Sequence, residues 1–367
     1  MALMLTFLGK GGTGRTTVAI ASAKQLAEQG YRVLLASQNP APGFEVMVGA
    51  TIGTDPQELG VNLKAVQLHS TVLLEKAWED LKQLEAEYIR TPFFKTVFGQ
   101  ELGILPGMDS VLALNALREY EVSGAYDVIL YDGFGDLTTL RMLGAPEIFS
   151  WYARRFRQVF AESDLGRTLS PFVQPITAAV LTVNRSGDNF AEPTARVNTL
   201  MDDAKAAIAD PNRVAAYLVT TGDPVAIATA RYLWGSAQQV GLTIGGVIAT
   251  PLHPLLNASD LQVEFAPLSI ASLPQRTGTD WQPLIAALPD FKQAAQAPKP
   301  IEMDRDLGQV KLFLPGFDKS QVKLTQYGPE VTIEAGDQRR NIFLPPEWRG
   351  KPVKAAKFQG GYLTISF

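Results

Sequence analysis

The residues best suited to chemistry lie near the N-terminus, in the stretch GKGGTGRTT at positions 9–17. Gly9, Gly11, Gly12 and Gly14 permit a turn in which backbone N–H groups converge without a side chain in the way. A turn of that kind opening a helix attracts anions, because free N–H groups and the helix dipole both favour phosphate oxygens. Thr13, Thr16 and Thr17 add hydroxyls, and Lys10 and Arg15 add positive charge. Thr16 stands where a hydroxyl would meet phosphate-bound Mg²⁺. Asp132, closing the apolar run YDVILYD, supplies the carboxylate such a site needs. These residues predict a nucleotide phosphate site with Mg²⁺ at Thr16 and Asp132. A glycine-rich turn can also bind nothing, and the flanking elements separate the two readings.

Those elements fit the first reading. Residues 3–8 are apolar throughout, as in a buried parallel strand. TTVAIASAKQLAEQG carries apolar residues at helical spacing and stops at Gly30, and YRVLLAS reads as the next strand. Strand, glycine loop, helix, strand is the context that gives such a loop meaning. Further strands are expected at YDVILYD (126–132), within 210–224 and at LTIGGVIAT, with a helix starting at Asp223-Pro224 and ending at Gly241. Alternating strands and helices predict an α/β fold with a doubly wound, mostly parallel sheet.

Two stretches break the rhythm and read as helical inserts, at about 72–115 and 145–210. Residues 72–90 form an amphipathic helix with Leu74, Trp78, Leu81 and Tyr88 near one face, which is a core face or a partner face. TAAVLTVN (177–184) is ambiguous between helix and strand. Composition makes 293–300 (QAAQAPKP) a linker between a domain of residues 1–292 and one of residues 301–367. The second domain is a run of short β-branched and aromatic segments, hence a small all-β sandwich.

The 367 residues are 46% hydrophobic and 19% charged, with a net charge of −4. That balance fits a soluble globular chain and argues against nucleic acid as a partner. No apolar run is long enough for a transmembrane segment, and the N-terminus lacks a signal peptide's charged start, so a cytoplasmic location is expected. There is no cysteine. Disulfides, thiolate zinc or arsenite sites and cysteine-held iron–sulfur clusters are excluded. His69 and His253 are the only histidines, too few for a multi-histidine metal site within one chain.

GKGGTGRTT resembles the deviant Walker A loop K-G-G-x-G-K-T. The order of further segments resembles the arsenical pump-driving and tail-anchored-protein-targeting ATPases, the ArsA/GET type within the SIMIBI class. RVLLASQNPAPGFEV sits at the switch I position, ILPGMDSVLALNAL resembles the P-G-x-x-E segment, and YDGFGDLTTLRMLGAPE resembles switch II. SIASLPQ resembles the late loop that contacts adenine, which places Pro274 at the nucleotide. The resemblance spans about residues 1–290. It implies a P-loop ATPase that binds ATP and Mg²⁺ as a homodimer, with Lys10 reaching the nucleotide held by the other protomer. By the same resemblance Lys10, Asn39 and Asp132 form the catalytic set.

The departures bear on turnover. Arg15 replaces the loop lysine, keeping the charge on a larger planar fork. Asn39 stands at the switch I aspartate, where it can orient a water but cannot take its proton, a loss worth about 10²–10⁴-fold in rate. Gly133 and Phe134 differ from the usual switch II residues, and Ala249 replaces an adenine-contacting asparagine. Residues 301–367 resemble the α-crystallin domain of small heat-shock proteins through L-P-G-F, R-R-x-I-x-L-P and G-x-L-x-I, without the family's I-x-I tail or long dimerising loop. Its sheet edges are expected either to bind extended polypeptide or to serve structure alone. Three readings follow. One is a dimeric ATP-dependent chaperone or targeting factor that binds hydrophobic clients in the helical inserts. The others are an ATPase driving another partner and a non-hydrolysing nucleotide-binding scaffold.

Overall fold

A computed structural model describes residues 1–88, 97–162, 191–251 and 258–367. TAAVLTVN at 177–184 and His253 lie outside the described residues. The chain divides into two compact units. One comprises Met1–Gln67, Leu117–Leu143 and Ala207–Phe367, and the other Leu68–Ala116 and Gly144–Ala206.

The first unit is built on eight strands: β1 (Leu3–Leu8), β2 (Val33–Ser37), β3 (Gln57–Gly60), β4 (Leu63–Gln67), β5 (Val128–Asp132), β6 (Val214–Thr220), β7 (Thr243–Ala249) and β8 (Ile270–Ser272). They lie in the order β3-β4-β2-β5-β1-β6-β7-β8. All pairs are parallel except β3 with β4. Every residue of β2, β5 and β6 is buried, which is why these strands read as unbroken apolar runs. From β1 the chain first builds one side of the sheet and, after β5, the other. The direction reverses at β1, and the crevice at the C-terminal ends of strands flanking such a reversal is where α/β sheets bind ligands.

The helices are α1 (Arg15–Glu28), α2 (Gly43–Val48), α3 (Ser70–Tyr88), α4 (Met108–Val122), α5 (Leu137–Glu162), α6 (Ala191–Ala209), α7 (Pro224–Gln239), α8 (Ala258–Phe265) and α9 (Gln282–Ala287). α1 is small-residue rich and buries Val18, Ala19, Ile20, Ala21 and Ala23 against the sheet. α7 begins as its sequence dictates: the Asp223 carboxylate accepts from the Ala226 N–H at 2.9 Å, and Pro224 occupies the first turn. Residues 291–296, which overlap the linker composition, form a 3₁₀ turn that buries Phe291 and Ala294 in the same core. Phe291 packs edge-on to Tyr217 of β6 at 4.9 Å.

The C-terminal strands β9 (Ile301–Asp304), β10 (Gln309–Phe313), β11 (Val322–Tyr327), β12 (Glu330–Ala335), β13 (Gln338–Phe343), β14 (Ala355–Gln359) and β15 (Tyr362–Ser366) are all antiparallel. They form a four-stranded sheet, β14-β15-β10-β9, and a three-stranded one, β11-β12-β13. Alternating apolar residues Val331, Ile333, Val310, Leu312, Leu363 and Ile365 fill the space between them, with Trp348 stacked on Phe367.

This sandwich docks on α7. Gly235 lets the Pro315 carbonyl and the Phe317 ring approach so closely that a Cβ there would lie 2.5 Å from Phe317 Cε2. Tyr232 Oη accepts from the Asp337 N–H at 3.0 Å, Arg340 Nη1 donates to the Gln238 carbonyl at 2.9 Å, and Trp234 meets Phe313 edge-on at 5.4 Å. Asp337 also pairs with Arg141 of α5.

The second unit is helical in its described residues. On α3, Leu74 is buried and Trp78 and Leu81 are half-buried, with Trp78 Nε1 donating to the Val97 carbonyl at 2.9 Å. Part of α5 lies in this unit, and Ile148, Phe149, Tyr152 and Phe156 are exposed along it, Phe149 by 55%. No helix among the described residues is long and apolar enough to cross a membrane.

Candidate nucleotide site

The loop between β1 and α1 takes the shape its glycines allow. Gly12 and Gly14 have φ of +84° and +87°, the left-handed region where a side chain is strained. Gly9 presses against the Val219 carbonyl of β6, leaving no room for a Cβ. Gly14 is the N-cap of α1, which has no side-chain cap and no acidic residue in its first turn. Its first N–H groups are therefore left for an anion. The Thr13 hydroxyl folds back to the Lys10 carbonyl at 2.9 Å, and the Lys10 side chain is exposed.

Asp132 ends β5, which pairs directly with β2: Ser37 is its register partner, and the Gln38 N–H donates to the Asp132 carbonyl at 3.0 Å. The segments that resemble switch I and switch II thus start side by side at the C-terminal edge of the sheet, next to the loop after β1. Asp132 is only 5% exposed. Burial pushes its pKa up to about 6, against a hydrogen bond from Thr16 and the charge of Arg15, which both favour the carboxylate. Burial likewise lowers the Arg15 pKa, opposed by Asp132 and Asp136. A buried carboxyl paired with a hydroxyl in the first turn of α1 is a donor set that fits Mg²⁺ arriving with a nucleotide. When bound, the ion would neutralise phosphate charge. Among the described residues no group of three His, Cys, Asp or Glu gathers to hold a metal by itself.

Asn39 follows directly, but its Oδ1 accepts from the Ala41 N–H at 3.0 Å in a local turn, while Gln67 Nε2 holds its carbonyl at 2.8 Å. The side-chain oxygen thus accepts one hydrogen bond within the turn, and an amide offers no group that could take a proton from a water. Pro274 is exposed just after Leu273, whose N–H donates to the Ala249 carbonyl at 2.8 Å, so the segment that resembles an adenine-contacting loop lies at the end of β7.

Several residues at this edge carry no sequence signal. Thr250 donates through Oγ1 to the Thr13 carbonyl at 2.8 Å and packs its methyl 3.5 Å from where a Gly14 Cβ would sit. It ties the loop to β7. Tyr131 is fully buried and donates to Gln38 Oε1, joining the roots of the two switches. Its ring fills the space beside Gly133 where a Cβ would go, which accounts for glycine at that switch II position.

Comparison with known proteins agrees with this geometry. The model of a family described as anion-transporting ATPase matches residues 2–262, and that of an HSP20-like domain found in ArsA matches residues 307–367. A putative arsenical pump-driving ATPase of Chlorobaculum tepidum is 25% identical, over 99% of this chain and 95% of its own length. A second, from Aquifex aeolicus, is 19% identical over 99% of both chains. The ATPase GET3 of Malassezia globosa is 28% identical over 45% of this chain and 47% of its own.

Proposed function

The chain belongs to the anion-transporting ATPase family, and from that premise we propose that it is an ATP- and Mg²⁺-dependent homodimeric factor that binds hydrophobic client segments in the cytoplasm. The observation that carries the client half is the exposed apolar face of α5: Ile148, Phe149, Tyr152 and Phe156 are each 40–55% exposed, and Tyr152 stacks on Phe156 at 5.6 Å. Residues spaced 148, 152, 156 line one side of a helix, and such a stripe in water marks an interaction surface. Arsenite capture by thiolates has no basis in a chain without cysteine.

In the nucleotide half, N–H groups of Gly11, Gly12 and Gly14 and the start of α1, with Thr13, Thr17 and Arg15, hold the phosphates. Thr16 and Asp132 hold the ion, and Lys10, which is exposed, reaches the nucleotide of a second protomer. Pro274 borders the base. The non-hydrolysing reading draws its support from Arg15 in place of the loop lysine and from Asn39, an amide that cannot take a proton from the attacking water. One experiment separates the readings. The pure protein is incubated with Mg-ATP, stripped of free nucleotide, denatured, and the retained nucleotide chromatographed. Retained ADP supports turnover. Retained ATP supports a binder that does not turn over, and an empty protein overturns the nucleotide reading.

A further inference from the structure

Arginine at position 15 brings a cation to the phosphate loop, and in this fold it also reaches elsewhere. Arg15 Nη1 donates to the main-chain carbonyl of Phe134 in switch II. The next carbonyl, Gly135, accepts from the N–H of Gly9 at 2.9 Å. Two successive switch II carbonyls are thus held from the phosphate loop, one by its first glycine and one by its cation.

Gly135 is shaped to this arrangement. Its φ is +62°, and a Cβ built on it would run into the Arg15 guanidinium, 2.6 Å from Cζ, and lie 2.6 Å from the Phe7 carbonyl. The guanidinium occupies the volume a side chain at 135 would need. The segment beyond is ordered by its own short contacts: the Gly135 N–H donates to Thr139 Oγ1 at 2.9 Å, and Asp136 caps the start of α5 through the Thr138 N–H at 2.8 Å. Asp132 and Asp136 flank the guanidinium with negative charge.

We propose that Arg15 is a positioning residue for switch II: its fork holds the Phe134 carbonyl with one arm and leaves the others for phosphate, so that the loop and switch II respond to nucleotide as one piece. An ammonium is a point charge without two separated arms, so a lysine at 15 serves the phosphate but does not bridge. Arg15 and Gly135 form a matched pair. This deepens the phosphate-loop reading and rests on it for the role of nucleotide, whereas the tether itself exists without one.

The test is backbone hydrogen exchange on the full chain, first free of nucleotide. In R15K the Gly135 and Leu140 amides should exchange about tenfold faster or more than in the parent, as the loss of a hydrogen bond from a charged donor implies, while amides of β1 and β6 keep their rates. G135A should accelerate the same amides. Because both changes break one contact, R15K/G135A should be no faster than G135A alone. Mg-ATP should then slow switch II exchange in the parent and fail to do so in R15K at a Mg-ATP concentration that saturates the variant, with occupancy read separately by isothermal titration. Unchanged switch II exchange in R15K, or accelerations that multiply in the double variant, overturns the proposal. Failure of Mg-ATP to bind the parent would strike the nucleotide reading and leave the nucleotide-free comparison to decide the tether.

Discussion

Replacing Asp132 by asparagine should stabilise the nucleotide-free protein at alkaline pH and hardly at all in acid. Asp132 has a folded-state pKa of about 6 against an ordinary value of 3.8, chiefly because burial disfavours its charge. The folded state holds the proton more tightly than the unfolded one, so the contribution to stability is full below 3.8 and is lost as the pH rises through 6. A gap of about two between these values corresponds to about 3 kcal/mol of cost at about pH 8. Linkage reduces it to about a third at about pH 4.5. The amide introduced by Asp132→Asn has nearly the shape of the acid, keeps an oxygen for the Thr16 hydroxyl and never ionises. In thermal melts, D132N should therefore exceed the parent by about 5–10 °C at about pH 8, converging towards it at about pH 4.5. Comparison at equal pH cancels every other titrating group. A gap that does not change with pH, or a variant less stable than the parent in alkali, refutes the claim that burial outweighs Thr16 and Arg15 at the carboxylate ending β5. The same variant should lose the Mg²⁺-dependence of nucleotide binding.

Two further outcomes follow from contacts at the same edge and beyond it. Thr250→Val keeps the shape but removes the hydroxyl that holds the Thr13 carbonyl, and isothermal titration should find nucleotide affinity about tenfold weaker with the melting point within a few degrees of the parent. Gly235→Val forces a side chain against the Pro315 carbonyl and Phe317, and should cost about 3 kcal/mol or more, read as an early melt by circular dichroism.

The core of the site was legible because its signals are local. Four glycines in six residues, an apolar run before them and a helical period after them describe β1, the loop and α1 without any distant contact. Asp223-Pro224 marked the start of α7 for the same reason, and short β-branched and aromatic segments marked the strands of the C-terminal sandwich. What escaped depends on residues far apart in the chain. Nothing near position 250 announces that its hydroxyl will hold the Thr13 carbonyl, 237 residues earlier. The direction taken by Arg15 is fixed by a carbonyl 119 residues away. Gly133 looked like a departure from pattern until the Tyr131 ring was seen to fill its side-chain volume. The antiparallel edge strand β3 was missed because QELG is four residues long and Leu59 alone is apolar, too little to show a period.

α7 has walls on two sides. Ala226, Ile227, Ala230 and Leu233 are buried in the α/β unit, while Tyr232, Trp234 and Gly235 meet the β-sandwich. A chain cut at residue 300 would expose an aromatic, backbone-bare stretch of helix to water, and its behaviour would report that wound rather than the missing domain's task. Deletion is thus the wrong instrument for asking what the sandwich does. Charge reversal at Lys357 on the outer strand β14, or at Lys323 on β11, leaves α7 clothed and asks the question of the sheet edges themselves.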